Sequence, residues 1–247
     1  MSKLYVAFSG GADSTAMAIL LHERGVEYEL VFSDTGAELP ETIYMVTRVA
    51  KVLGKPLNVV SNGTFYGHLA SQGFLLPAPF IRWCTRLLKQ VPQERFFANY
   101  PDAEVAIGIR ADEAHRMGRK QGNKTMPIRP LVDAGMDKKD VLALCRKHDL
   151  LNPIYQWRSN TSCFCCFFQR ISDWRGLLKH HPELYALAEQ WEGMSKDWVD
   201  AHRAEGANPH STWIGSGRTL KNLREVDENQ LKLWPDPEEE PCQICKW

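Results

Sequence analysis

The sequence predicts an α/β fold in which a parallel sheet carries helices on both faces, with a smaller cysteine-containing C-terminal region. Short apolar runs alternate with segments of helical spacing along the first half of the chain, and this alternation is typical of parallel sheets covered by helices. A glycine-rich turn, Ser9-Gly-Gly-Ala-Asp-Ser14, follows the first apolar run. Because parallel sheets bind ligands at such turns, it supports the same fold class.

The predicted elements follow in chain order. Residues 4–8 form an apolar run that predicts the first strand, and residues 13–24 carry apolar side chains at helical spacing, ended by Gly25. The same criteria predict strands over residues 28–32, 56–60 and 105–109 and helices over residues 40–53, 138–148 and 174–191.

Composition limits the classes of function. The chain has 247 residues with 44% hydrophobic content, which suffices for one sizeable core and a small appendage. Thirty basic and 30 acidic residues give a net charge of +0, so no global field favours a nucleic acid or a membrane. No apolar run reaches the roughly 18 residues of a membrane span, and no signal-peptide pattern is present. We therefore expect a cytoplasmic protein without a membrane partner.

The turn after the first strand has the composition of an anion-binding cradle. Gly10 and Gly11 allow a ligand to approach the backbone closely, and Asp13 and Ser14 can cap the following helix. The hydroxyls of Ser9 and Ser14 can donate to phosphate oxygens. A glycine turn with an ordinary helix cap is the structural alternative. The chain lacks G-x-x-x-x-G-K-S/T and a complete G-x-G-x-x-G, so the two common phosphate-binding motifs are excluded.

This turn matches in full the S-G-G-x-D-S signature of the PP-loop ATP pyrophosphatases, which it resembles. Three later segments are similar to those of phosphoadenylylsulfate (PAPS) reductases: Phe32-Ser-Asp-Thr-Gly-Ala-Glu-Leu-Pro-Glu-Thr42, Ile107-Gly-Ile-Arg-Ala-Asp-Glu113 with Arg116, and Met126-Pro-Ile-Arg-Pro-Leu131. The resemblance implies a Rossmann-like fold of the adenine nucleotide alpha hydrolase type. Since the alternation of elements weakens near residue 152, we expect a nucleotide-binding PP-loop domain over residues 1–155 and a helical region with cysteine motifs over residues 156–247.

The resemblance also implies a site for ATP, or for adenylylsulfate (APS) or PAPS, with Mg²⁺. Asp13, Arg110 and Arg116 are the predicted catalytic residues. Asp34 is either a turn residue or a ligand of a ribose hydroxyl or a metal ion. Residues 110–129 contain six basic and two acidic side chains, which indicate either a solvated loop or a clamp on phosphates. The predicted nucleotide-binding residues are Ser9, Gly10, Gly11, Asp13, Ser14, Asp34, Thr35, Gly36, Arg82, Lys89 and Gly108.

Seven cysteines in a chain of this size indicate metal or redox chemistry rather than a disulfide framework. One C-x-x-C pair is Cys163 with Cys166, and a second is Cys242 with Cys245. Zinc would use these four thiolates. A 4Fe-4S cluster would use Cys84, Cys163, Cys166 and one cysteine of the tail, and spacing does not separate the two.

Resemblance favours the cluster. APS reductases bind a 4Fe-4S cluster through a cysteine pair and a later pair, although this chain has Cys84 alone at the first position. The DNA phosphorothioation ATPases carry a block similar to Arg82-Trp-Cys-Thr-Arg-Leu-Leu-Lys89 and also bind a cluster. Cys145 lies on an apolar helix face and is predicted to be core, Cys165 is a spare thiol, and His180-His181 are predicted to be surface residues at a turn.

Three functions remain open at this point. The leading hypothesis is an ATP pyrophosphatase that adenylates an acceptor for iron–sulfur-dependent sulfur transfer. A sulfonucleotide reductase is the second, although the tail Glu240-Pro-Cys-Gln-Ile-Cys-Lys-Trp247 lacks the glycine and histidine of that family. A non-catalytic, zinc-stabilised nucleotide or nucleic-acid binding module is the third. The sequence does not show whether the acceptor is a nucleic acid or a small molecule. It also does not identify a sulfur donor protein or the oligomeric state.

Aromatic residues interleave with cations in the last hundred residues, as at Trp157-Arg158. Trp191, Trp198 and Trp213 continue this pattern. Such tryptophans either stack on nucleic-acid bases or belong to the core.

Overall fold

A computed structural model of the chain describes residues 3–115, 127–201, 211–214 and 218–226. These residues form two compact units, one from residues up to 64 with residues 85–161, and the other from residues 65–84 with residues from 162 onward. Both the α/β class and the parallel sheet are confirmed. The boundary near residue 155 stays a prediction; in the structure, residues 65–84 group with the C-terminal unit.

The first unit is built on a four-stranded parallel sheet in the order β3-β2-β1-β4. Its elements are β1 (Leu4–Phe8), α1 (Ala12–Glu23), β2 (Glu29–Asp34), α2 (Pro40–Val52), β3 (Leu57–Ser61), a π-helical turn (Arg86–Gln90), β4 (Glu104–Ala106), a 3-10 turn (Ala111–Glu113) and another (Pro153–Gln156). The remaining helices of the two units, numbered in chain order, are α3 (Phe65–Ser71), α4 (Trp83–Thr85), α5 (Val91–Phe97), α6 (Pro130–Asp133), α7 (Lys138–Lys147), α8 (Ile171–His180), α9 (Pro182–Ala201) and α10 (Leu220–Glu225).

Alternation along β1 explains why both faces of the sheet are covered. Leu4, Val6 and Phe8 belong to a core cluster with α1, α2 and α7, whereas Tyr5 belongs to a second cluster with Phe97 of α5. Successive side chains of a strand point to opposite faces. Helices therefore pack on both faces, as the sequence predicts.

Two predicted elements differ from the structure by more than two residues. The fourth strand ends at Ala106 rather than residue 109, because the amide of Ile109 donates to the carbonyl of Ile107 at 3.0 Å and so leaves the sheet. The predicted helix over residues 174–191 is two helices, α8 and α9. Pro182 has no amide hydrogen to continue the first, and α9 begins at that proline.

Cys145 is a core residue, as predicted. It lies on α7, which packs against α1, and its side chain has no exposed surface. The thiol donates to the carbonyl of Ala12 at 3.4 Å. Burial and then the nearby charge of Asp13 raise the pKa of this thiol to about 12, so it is a neutral donor.

The second unit has an aromatic core. Trp191 stacks on Phe65 with ring centroids 5.5 Å apart and an interplanar angle of 6°, and Trp174 and Trp213 are both buried. Trp191 and Trp213 therefore cannot stack on nucleic-acid bases, and the core interpretation is correct for them. None of the described helices combines the length and the apolar character that a membrane crossing requires.

A buried carboxylate connects α9 to the segments that follow it. Glu192 is 3% exposed and accepts hydrogen bonds from the amides of Trp213 at 2.9 Å and Leu220 at 2.6 Å. Burial raises its pKa to about 7, against the influence of these two amides. Glu192 thus changes charge near neutral pH while it accepts two backbone hydrogen bonds of this unit.

We expect the free energy of unfolding to fall as the pH rises from 5 to 8. Between the ordinary glutamate pKa and about 7, the folded chain keeps a proton on Glu192 that the unfolded chain has released, so the folded state loses its advantage with rising pH. The loss should reach about 3 kcal/mol, measured by chemical denaturation across this range. Glu192→Gln cannot ionise and should abolish this part of the slope; an equal slope in the variant would contradict the assignment.

Candidate functional site

The candidate site lies in the first unit, where the carboxyl ends of its central strands meet. The loop from Ser9 to Ser14 joins β1 to α1, and α1 begins with Gly11 as its N-cap. Since β1 pairs in parallel with β2 and β4, the ends of all three strands lie at one edge of the sheet. This is the edge at which open α/β sheets bind ligands.

The glycines of this edge are required by close contacts. Gly10 has a φ of +70°, and a Cβ there would lie 3.0 Å from Val46 Cγ2. A Cβ on Gly11 would lie 2.7 Å from Thr161 Oγ1, and one on Gly108 would lie 3.1 Å from backbone atoms of α1. The backbone at these three glycines is therefore closely packed against neighbouring segments, and this packing restricts how the loop can move.

Several amides at the start of α1 and in the loop before it are unpaired within the described part of the chain. No hydrogen-bond acceptor for the amides of Gly10, Gly11, Asp13 or Ser14 occurs within the described part of the chain. Free amides at a helix N-terminus, together with the helix dipole, bind anions. The loop has the geometry of the predicted cradle.

The two serine hydroxyls of the loop bond to the loop itself. Ser14 Oγ accepts from the amide of Ser9 at 3.2 Å and donates to the carbonyl of Gly11 at 3.1 Å. Ser9 Oγ lies 3.2 Å from Ser14 Oγ. In this state Ser14 shapes the loop, and phosphate contact by either hydroxyl stays a prediction.

A distant segment braces the loop, and the sequence reading missed it. Asn152 Nδ2 donates to the carbonyl of Gly10 at 3.1 Å, and the hydroxyl of Tyr155 accepts from the amide of Ala12 at 3.0 Å. Thr161 contacts Gly11 closely enough to exclude a side chain there. We call Asn152, Tyr155 and Thr161 the brace. No local signal links residues about 140 positions apart, so only the fold reveals it.

Asp13 and Arg110, two of the predicted catalytic residues, form an ion pair. Arg110 Nη1 lies 2.9 Å from Asp13 Oδ2, and the same guanidinium contacts Asp112 at 2.9 Å and Glu113 at 3.0 Å. The Arg110 side chain is only 13% exposed. Within the described part of the chain, this one guanidinium therefore contacts three carboxylates.

The pKa directions agree with this crowding. Burial raises the pKa of Asp13, although the charge of Arg110 lowers it. Burial lowers the pKa of Arg110, but the hydrogen bond to Asp112 and the charge of Asp13 outweigh burial and raise that pKa overall. Arg110 is therefore a permanent cation at the entrance to the cradle.

The end of β2 supplies a second polar turn. Gly36 donates its amide to Asp34 Oδ1 at 2.8 Å, so Asp34 acts as a turn residue, one of its two predicted roles. Thr35 donates its hydroxyl to Glu38 Oε1 at 2.6 Å and its amide to Glu38 Oε2 at 3.1 Å. Burial raises the pKa of Glu38. Glu38 was also missed in the sequence, because it falls on a variable position of the matched segment.

The other predicted nucleotide-binding residues are not all in this unit. Lys89 lies exposed on the π-helical turn, which packs against β2. Arg82 belongs to the second unit. Arg116 lies outside the described residues, as do Cys242 and Cys245.

The remaining predicted metal ligands are close together in the second unit. Cys165 is fully buried, and its pKa is raised well above its usual value by burial and then by the charges of Cys163, Cys166 and Cys84. Four thiols thus share one region, which is the soft donor set that iron–sulfur clusters or zinc require. Among the described residues, however, no three histidine, cysteine or acidic side chains are arranged as ligands of one metal ion. Cluster binding therefore stays a prediction.

Comparison with known proteins gives one family. A model of the phosphoadenosine phosphosulfate reductase domain matches residues 3–175, which is more than half of the chain. The crystal structure of phosphoadenylyl-sulfate (PAPS) reductase from Candida auris, in a phosphate complex, is similar in fold with a TM-score of 0.52. It is 18% identical, and the match covers 64% of this chain and 80% of that chain.

Two curated proteins are related in sequence. Uncharacterized protein MJ0973 of Methanocaldococcus jannaschii is 25% identical over 241 residues, covering 92% of this chain and 55% of the relative. The uncharacterized nin region protein ORF290 of Escherichia phage lambda is 31% identical over 174 residues, covering 56% of this chain and 57% of the relative. The chain thus spans little more than half the length of the curated relatives it matches.

Proposed function

The chain belongs to the phosphoadenosine phosphosulfate reductase domain family, and we propose that it is an ATP pyrophosphatase that activates an acceptor for sulfur transfer. The observation that carries this proposal is the loop from Ser9 to Ser14 at the start of α1, where the amides of Gly10, Gly11, Asp13 and Ser14 have no acceptor among the described residues. Such a cradle suits a polyphosphate, because several amides and the helix dipole act on the same charge.

The first chemical step is adenylation. An oxygen of the acceptor attacks the α-phosphorus of ATP, a new oxygen–phosphorus bond forms, and the bond to the bridging oxygen breaks as pyrophosphate leaves. The loop amides hold the departing phosphates, and Arg110 offsets charge that develops on them. No side chain of the loop acts as a nucleophile, so the chain contributes positioning and electrostatics.

Magnesium accompanies ATP in this proposal and offsets the phosphate charge. The carboxylates of Asp13, Asp112 and Glu113 all contact Arg110. They supply the hard oxygen ligands that Mg²⁺ prefers.

The second step transfers sulfur. A sulfur nucleophile attacks the activated carbon of the acceptor, a carbon–sulfur bond forms, and AMP leaves with the oxygen. A 4Fe-4S cluster held by thiolates from Cys84, Cys163, Cys166 and one cysteine of the tail would carry that sulfur. Zinc on Cys163, Cys166, Cys242 and Cys245 would be structural instead. A cytoplasmic location, where thiols stay reduced, fits either use of these cysteines.

Sulfonucleotide reduction is the second candidate, because the matching family is defined by PAPS reductase. In that reaction the same cradle would bind the phosphates of APS or PAPS, and a cysteine thiolate would attack the sulfur. A sulfur–sulfur bond would form as the sulfur–oxygen bond to the departing nucleotide breaks, and a thiol donor would then reduce the new bond and release sulfite. The tail cysteines that would serve as nucleophile lie outside the described residues.

Product analysis separates the candidates. We expect the protein with ATP, Mg²⁺, a sulfide source and a candidate acceptor to release pyrophosphate and AMP in equal amounts, measured by an enzyme-coupled assay. Incubation with APS or PAPS and thioredoxin should release no sulfite. Release of sulfite without pyrophosphate would favour the reductase over the proposed function. Release of neither product would favour the non-catalytic binding module.

A further inference from the structure

A two-residue turn in the second unit presents an aromatic side chain to solvent. Ala78 and Ile81 exchange both backbone hydrogen bonds, at 3.1 Å and 2.9 Å, which leaves Pro79 and Phe80 at the tip. Phe80 is 93% exposed, the largest fraction among the large hydrophobic side chains of the described residues. Proline fixes the φ angle of one of the two central residues, which lowers the entropic cost of ordering the tip that presents Phe80.

Arg82 continues this surface two residues further along the chain. It is exposed, and its guanidinium carbon lies 5.4 Å from the ring centroid of Phe168. Phe168 in turn packs on Phe167, with centroids 4.2 Å apart. A guanidinium over an aromatic ring is restricted in position but keeps its charge available.

The segments that carry these side chains are basic. Residues 65–84 and 162–181 contain four lysine or arginine side chains and a single acidic one, Asp173, which is buried. The accessible charge of these segments is therefore positive although the whole chain is neutral. This charge complements a phosphate backbone.

We propose that Phe80, Arg82 and Phe168, which we call the stacking surface, bind an unpaired base and its phosphate in a single-stranded nucleic acid. Aromatic faces and guanidinium planes are the groups on which unpaired bases stack. The inference rests on the proposed function, for which it names the acceptor class. Cys84 follows Arg82 by two residues, so the surface is connected along the chain to the thiols assigned to sulfur chemistry.

A nucleic acid fits this surface better than a docked protein does. Protein interfaces need a contiguous apolar patch, whereas Phe80 is followed by Ile81, which is 38% exposed, and then by a cation. A single protruding ring next to arginine is suited to one base rather than to a broad apolar contact. Trp191 and Trp213 are buried and do not compete for this role, and Phe80 is the most exposed large hydrophobic side chain among the described residues.

Fluorescence anisotropy with labelled oligonucleotides tests the proposal. Single-stranded DNA and RNA of one sequence, about 12 nucleotides long, are titrated with the full chain at low salt and without ATP. Phe80→Ala should raise the Kd about tenfold, and Phe80→Leu should do the same because it lacks a ring. Phe80→Trp should keep the affinity, and Arg82→Ala should weaken binding and reduce its salt dependence.

Tyr44→Ala is the matched control, because Tyr44 is an exposed aromatic residue on α2, at 54% exposure. It should leave the Kd unchanged, and thermal melting should show that every variant is folded. Absence of binding to either oligonucleotide, or equal binding by the wild type and Phe80→Ala, would overturn the proposal. Oligonucleotide binding by Phe80→Leu that is as tight as that of the wild type would show that the aromatic ring is not required, and would overturn the proposal as well.

The assay contains no ATP, so its failure differs from failure of the proposed function. Pyrophosphate release with no oligonucleotide binding would contradict the stacking surface but agree with the proposed adenylation. Oligonucleotide binding that depends on Phe80, without pyrophosphate release, would contradict the proposed adenylation but support the stacking surface.

Discussion

Arg110→Ala should lower kcat/KM for pyrophosphate release by about two to three orders of magnitude. The substitution removes the cation that contacts Asp13, Asp112 and Glu113. Three carboxylates would then face the phosphates without a compensating charge, and truncating one member of a mostly buried charge pair commonly costs about 2–5 kcal/mol. The measurement is steady-state pyrophosphate release as a function of ATP concentration.

Two variants give this result its meaning. Arg110→Lys keeps one charge but cannot contact three carboxylates at once, so it should recover only part of the activity. Arg48→Ala is the matched control, because Arg48 pairs with Asp149 on the surface of the same unit, and surface pairs contribute little. Wild-type kinetics in Arg110→Ala would show that the Asp13 pair has no part in the reaction.

Gly11→Ala should weaken the affinity for ATP by at least about tenfold relative to the wild type. The new Cβ would lie 2.7 Å from Thr161 Oγ1 and 3.4 Å from Ser9 Oγ. The brace must move or the loop must turn, and either change redirects the amides at the start of α1. Isothermal titration with ATP measures the loss.

The clash can be relieved from the other side. Thr161→Ala removes the Oγ1 atom, so the double variant with Gly11→Ala should recover part of the affinity. Thr161→Val keeps an atom in that place and should not rescue. If both double variants bind ATP equally, the contact between Gly11 and Thr161 does not set the direction of the loop.

The first strands and helices follow from local patterns because their signals are local. The buried run of β1, the glycine turn after it and the helical spacing of α1 lie within 20 residues of one another. Pro182 shows the limit of this reasoning: helical spacing continues through it, but its missing amide hydrogen separates α8 from α9. Spacing finds helices, and single residues end them.

The site was predictable only in part, for a similar reason. Ser9, Gly10 and Gly11 are recognisable because one short motif contains them. Tyr155 reaches the amide of Ala12 from 143 positions away, and Glu38 becomes notable only through its bonds to Thr35. Residues that support a site through tertiary contacts carry no pattern of their own.

The central claim is that the amides from Gly10 to Ser14 bind the phosphates of an adenine nucleotide. A crystal structure of the full chain with a non-hydrolysable ATP analogue tests it most directly. We expect phosphate oxygens within hydrogen-bond distance of the amides of Gly10, Gly11, Asp13 and Ser14, with Arg110 beside them. Phosphates bound at any other place, with this loop empty at saturating nucleotide, would contradict the claim.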